Sequence, residues 1–146
     1  MSKTNTWETD LLLLVFNNVA VSLVGDASGL QPSGVAGSLY VSLHTADPGE
    51  TGTQLTSETG YTSYARVAVA RTVGGWTVGT GTVSNAGGVT FPACTGGSST
   101  VTYFGVGTSS SGAGKLLYRG LLVTPQLITS GVQPFFTTGD LTVTED

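Results

Sequence analysis

The sequence predicts an all-β fold, an antiparallel sandwich or barrel of about eight short strands preceded by one short helix. Three observations carry this. Glycine is 22 of 146 residues, about twice the usual share, and Thr, Ser and Val fill much of the rest; Thr and Val favour strands, Gly and Ser turns. From residue 38 onward, short runs of alternating or apolar residues are separated by Gly, Pro, Ser and Asn clusters, the spacing of a sandwich or barrel. Nothing alternates strand with helix, which argues against a parallel α/β sheet. A mean hydropathy of +0.22 argues against Gly-rich disorder.

The chain fits one domain in length, with residues 1–37 as an N-terminal helix and linking loop and residues 38–146 as the β-sandwich. "TNTWETDLLLLVFNN" reads as a helix. Asn5 or Thr6 can cap it, and Glu8 and Asp10 suit the positive end of its dipole. Trp7, Leu11, Leu14, Val15 and Asn18 form one stripe. Leu12, Leu13 and Phe16 widen the apolar surface beyond that stripe, so the helix needs cover on more than one side. A neighbouring subunit could give that cover, which makes Leu12, Leu13 and Phe16 candidate interface residues; a strand or a fully buried helix is the alternative. Residues 24–37 read as loop.

In residues 38–44, Leu39, Val41 and Leu43 alternate with Tyr40, Ser42 and His44, a half-buried strand. "DPGETGTQLTSETG" is a long polar loop. "YARVAVART" sets Ala65, Val67 and Val69 on one face and Arg66, Ala68 and Ala70 on the other. "GGWTVGTGTVSNAGGVTFPA" reads as two short strands around a Gly-rich connection, with a turn at residues 85–88 and with Val89 and Phe91 facing one way. "STVTYFGVGT" and "KLLYRGLLVT" are strands joined by the hairpin loop "SSSGAG". "PQLITSGVQPFF" holds a short strand and a proline-broken edge, and "GDLTVTED" closes the sheet with Leu141 and Val143 inward.

Charge and cysteine usage narrow the function. Only 10% of residues are charged and the net charge is −4, with pI near 4.6. Lys3, Arg66, Arg71, Lys115 and Arg119 are scattered, whereas phosphate-backbone binding needs clustered cations; no direct nucleic-acid partner is expected. Cys94 stands alone, so neither an intrachain disulfide nor a cysteine zinc cluster is available. The longest apolar run, residues 11–16, is far short of a membrane span. Glu8 and Asp10 stand where a signal peptide needs cations.

The candidate catalytic stretch is "LYVSLHTADPGETG", which holds the single histidine, His44, with Asp47 and Glu50 beyond it. A triad needs a nucleophile activated by that histidine, and no G-x-S-x-G elbow occurs. Asp47 already serves the Asp-Pro-Gly turn. "GVGTSSSGAGKL" lacks the first glycine of a phosphate loop and the Ser or Thr after its lysine. The nine acids lie at the helix start, in loops and at the C-terminus, not as a pair flanking a sugar cleft. The expectation is a protein that is not an enzyme, with no catalytic residue, metal, cofactor or small-molecule substrate.

"LYVSLHTADPGETG", "YARVAVART" with "GGWTV", "NAGGVTFPACTG", "VTYFGVGTSSSGAGKLLYRGLL" and "GDLTVTED" together resemble a family of tailed-phage virion proteins often called tail fibre proteins. Some relatives resemble capsid cement (decoration) proteins, small β-sandwich or jelly-roll proteins that dimerise or trimerise on an HK97-type shell. The resemblance implies a virion structural protein with a jelly-roll-like sandwich, made in the host cytoplasm, and no catalytic residues. The first reading is a cement protein on the capsid surface that binds the major capsid protein and self-associates. A tail or tail-fibre component is the second, and a small carbohydrate-active enzyme or lectin the third.

Overall fold

The computed structural model describes residues 2–145. Among the described residues it holds one helix, α1 (Asn5–Asn17), and nine strands: β1 (Ser38–His44), β2 (Val67–Ala70), β3 (Trp76–Val78), β4 (Thr82–Asn85), β5 (Val89–Thr90), β6 (Ser98–Gly107), β7 (Leu116–Thr129), β8 (Phe135–Phe136) and β9 (Thr142–Thr144). They form sheets in the orders β2-β1-β6-β7, β3-β4-β9 and β5-β8, with antiparallel pairing in every ladder whose register is resolved. The class is all-β, as the alternation predicts. The chain divides into two compact units.

The first unit comprises Met1–Ser38, Val69–Gly88 and Thr137–Asp146. Here α1 packs on β3 and β4. Its cap is Thr4, not Asn5 or Thr6: Thr4 is extended (φ −88°, ψ 150°) and its hydroxyl accepts from the Trp7 amide, while Asn5 is already helical. Asn18 ends the helix in the left-handed region (φ 56°). The last turn carries no cation of its own. Arg71 supplies one, donating to the carbonyls of Val15 (2.6 Å) and Leu14 (2.7 Å), which would otherwise lack partners at the negative end of the dipole. Leu12 and Phe16 are fully buried, and Phe16 meets Trp76 edge-on at 4.9 Å. Full burial is worth about 1.5–3 kcal/mol for each such side chain. Leu141 and Val143 face inward as expected. Asn85 ends β4 rather than opening a turn; its amide donates to Gly87 and Thr137 carbonyls and its oxygen accepts from the Leu141 amide.

The second unit comprises Leu39–Ala68 and Val89–Phe136. β1 is an inner strand, antiparallel to β6 with Leu43 opposite Phe104 and His44 opposite Tyr103. It is not half-buried: Val41, Ser42, Leu43 and His44 are all enclosed, because material covers both faces of this part of the sheet. Aromatic rings join β5 and β8 to the larger sheet. Phe136 lies edge-on to Phe91 and to Phe104, with centroids 6.2 and 6.4 Å apart. β7 runs through Pro125 to Thr129 instead of stopping there, since an edge strand can forgo one N–H.

Candidate functional site

Ser42 and His44 are two residues apart on β1, so their side chains share a face. The Ser42 hydroxyl lies 2.8 Å from His44 Nε2, and His44 Nδ1 lies 2.8 Å from the Thr56 carbonyl. A carbonyl only accepts, so Nδ1 carries the proton and Nε2 accepts from Ser42. Gly105 sits opposite Ser42, and a Cβ there would come within 2.7 Å of both Nε2 and the Ser42 oxygen. The connectivity is that of a serine–histidine pair, yet both residues are 0% exposed and a carbonyl stands where a triad has a carboxylate. Burial holds the imidazole below its usual range; the Thr56 bond only partly offsets this.

Beside this pair lies a buried charge cluster. Glu58 accepts from Arg66 Nε and Nη2, each at 2.7 Å, and from the Tyr64 hydroxyl at 2.7 Å. Tyr64 in turn accepts from the Leu43 amide. Burial pushes the Tyr64 phenol far up, so it stays a donor; the bond to Glu58 holds Arg66 charged. Burial likewise raises Tyr61 to about 12. The remaining Arg66 bonds run to the hairpin between β6 and β7, to the carbonyls of Ser109 (2.9 Å) and Gly112 (2.7 Å). The side-chain oxygen of Gln54, also fully buried, accepts from the Ser109 amide at 2.9 Å, and the Gln54 backbone N–H donates to the Ala113 carbonyl at 2.8 Å. A Cβ at Gly107 or Gly114 would collide with the Gln54 side chain. The hairpin loop is therefore latched from beneath while Ser110, Ser111, Gly112 and Ala113 are solvent-exposed. A cleft of about 240 Å³ opens between this loop and Tyr64, Ala65 and Arg66.

Asp47 accepts from the Gly49 amide, as its turn role requires, and also from Arg119 at 2.7 Å. Glu50 pairs with the same guanidinium. Glu50 and Arg119 border a second depression, about 340 Å³, along Gly49–Glu50 and the start of β7. His44, Asp47 and Glu50 do not converge: the histidine is enclosed, and the two acids belong to an exposed ion pair. Asp26 and Asp140 accept from amides of their own loops, and Glu145 pairs with Lys3. Among the described residues no three His, Cys, Asp or Glu side chains gather as a metal site requires, and no helix is long and apolar enough to cross a membrane. Cys94 is buried and donates to the Gly96 carbonyl.

Of the candidate interface residues, Leu12 and Phe16 are core of the first unit and offer no side chain to a partner; Leu13 is half-buried. The Gln54, Glu58, Tyr64 and Arg66 latch was not found from sequence. Strand alternation puts Arg66 on the face opposite Val67, and its acidic partner lies in a loop with no periodic relation to it. An arginine within "YARVAVA" was the available signal, because a cation in an apolar strand needs a buried partner.

Comparison with known proteins bears on this arrangement. The model of a family described as Podophage GP4 fiber I protein gp80 matches residues 2–144. No curated protein matches the chain.

Proposed function

Because the chain belongs to the Podophage GP4 fiber I protein gp80 family, and so is a structural component of a phage virion, we propose that it is a tail-fibre component working by binding rather than catalysis. The observation that carries this is the family match, which runs through nearly the whole chain and bears a fibre protein's description. The geometry is in keeping with it. His44 and Ser42 are sealed from any substrate, and the polar groups of the second unit hold a loop in shape rather than line a reaction centre. A preformed loop loses little conformational freedom on docking, and repeated copies on one particle add avidity. The partners are other virion proteins and further copies of this chain; no nucleic acid, membrane lipid, cofactor or small-molecule substrate is involved.

The capsid-cement role implied by the resemblance, with the major capsid protein as partner, makes a different prediction. Quantitative mass spectrometry of purified virions, with antibody–gold labelling, separates the two. The tail reading expects tens of copies or fewer per particle and label on the tail. Hundreds of copies and label over the head would reject it in favour of cement.

A further inference from the structure

We infer that the outward face of β7 is a contact through which two copies of this chain pair about a twofold axis near Thr124. β7 is the last strand of its sheet. Its outward side chains include Leu121, Val123 and Leu127, which are 67%, 103% and 64% exposed. Singly exposed apolar residues are ordinary, but an apolar row on an edge strand marks a contact surface.

The row is also symmetric. Residues 121, 123, 124, 125 and 127 are exposed, while Leu122 is buried and Gln126 half-buried. An antiparallel partner centred on Thr124 would set Leu121 against Leu127 and Val123 against Pro125. A surface that complements itself in this way is what a closed, isologous dimer needs, and a different partner would have no reason to match it. Charge points the same way. Residues 120–139 contain no charged side chain, although each chain carries −4 overall, so two copies meet here without like-charge repulsion.

The ladder with β6 passes from Val101–Gln126 to Tyr103–Leu121, so Leu122–Pro125 bulge out opposite Thr102. A bulge and a proline discourage continuation of the sheet into another chain, and the contact is therefore side-chain packing. With the axis at Thr124 the two strands overlap over residues 119–129, and a strip of that length, at about 3.4 Å per residue and roughly 10 Å wide, covers on the order of 370 Å² per copy. The total of about 750 Å² is well below that of a standard specific interface, which makes the dimer weak and concentration-dependent in solution.

Sedimentation velocity on the full chain, from low to high micromolar concentration, tests this. The expected result is a monomer–dimer equilibrium that Val123→Asp weakens by about tenfold or more, since the carboxylate would be forced into an apolar contact. Mild oxidation of Thr124→Cys should yield a covalent dimer, and Ser111→Cys, on the exposed hairpin, should not; buried Cys94 stays out of the reaction. A monomer at every concentration, an oligomer indifferent to Val123→Asp, or equal cross-linking through position 111 would overturn the inference. It stands apart from the tail assignment: a head-bound dimer leaves it intact, and a tail-bound monomer removes it alone.

Discussion

Within the second unit, two regions invert the usual distribution of chemistry. Under the β6–β7 hairpin the interior is polar and charged: Gln54, Arg66, Ser42 and His44 are enclosed. On the far half of β7 the exterior is apolar, with Leu121, Val123 and Leu127 in solvent. Buried polar groups cost free energy unless every bond is made, and here the bonds are made to loop carbonyls and amides. An exposed apolar row costs nothing internally but leaves a surface unsatisfied. The first arrangement fixes the shape of one loop within the chain, whereas the second is complete only with something outside the chain.

The largest effect should come from breaking the polar interior. Arg66 and Glu58 side chains are only 2% and 9% exposed. Arg66→Met would leave Glu58 buried without its cation and the Ser109 and Gly112 carbonyls without their donor. Removing one partner of a buried pair costs about 3–5 kcal/mol. Urea unfolding should show that loss, and adding Glu58→Gln should restore part of it, because the stranded charge is then gone. A loss below about 1 kcal/mol, the range of exposed pairs, would mean the cluster is open to solvent.

His44 gives a smaller effect with a defined sign. Its folded-state pKa is lowered by burial from 6.5, so below that pH the unfolded chain binds a proton that the native chain resists. Stability from this group is complete above about pH 6.5 and declines as pH falls toward the folded value, by at most about 1.4 kcal/mol per pH unit. The groups facing the ring are Glu58 and Arg66, of opposite effect. His44→Gln should lower stability at neutral pH yet show a shallower decline between pH 6.5 and 5, read as the difference between the two urea midpoints. Parallel pH profiles would show that the ring titrates normally.

How much of this was legible in sequence follows from the range of each interaction. β1, the hairpin loop after β6, and inward Leu141 and Val143 were readable because alternation and turn chemistry are local. The enclosure of His44 and Ser42 was not, because alternation assigns faces but does not say that both are covered. Alternation likewise sets Arg66 on the face opposite Val67 without saying whether that face is covered; only its contact with a residue eight positions back and with carbonyls more than forty positions ahead makes it interior. Leu12 and Phe16 read as surplus apolar surface until β3 and β4 cover them. The strand that reads as ending at Thr124 and the short strand after it are one strand, β7, which can hold Pro125 because it lies at an edge.

The smallest effect sharpens the outer half of the comparison. Val123→Thr keeps the β-branched shape and strand preference and changes only the chemistry of a side chain that touches nothing within its own chain to speak of, being fully exposed. In dilute solution, where copies are apart, its unfolding free energy should match that of the parent within about 0.5 kcal/mol. At high concentration the two should separate. A native state that pairs gains stability by mass action, so the parent's melting temperature should climb with concentration more steeply than the variant's. The measurement is a pair of thermal melts at two concentrations for each protein. A destabilisation already present in dilute solution would mean that Val123 packs within its own chain, and the row on β7 would then belong to the fold rather than to a partner.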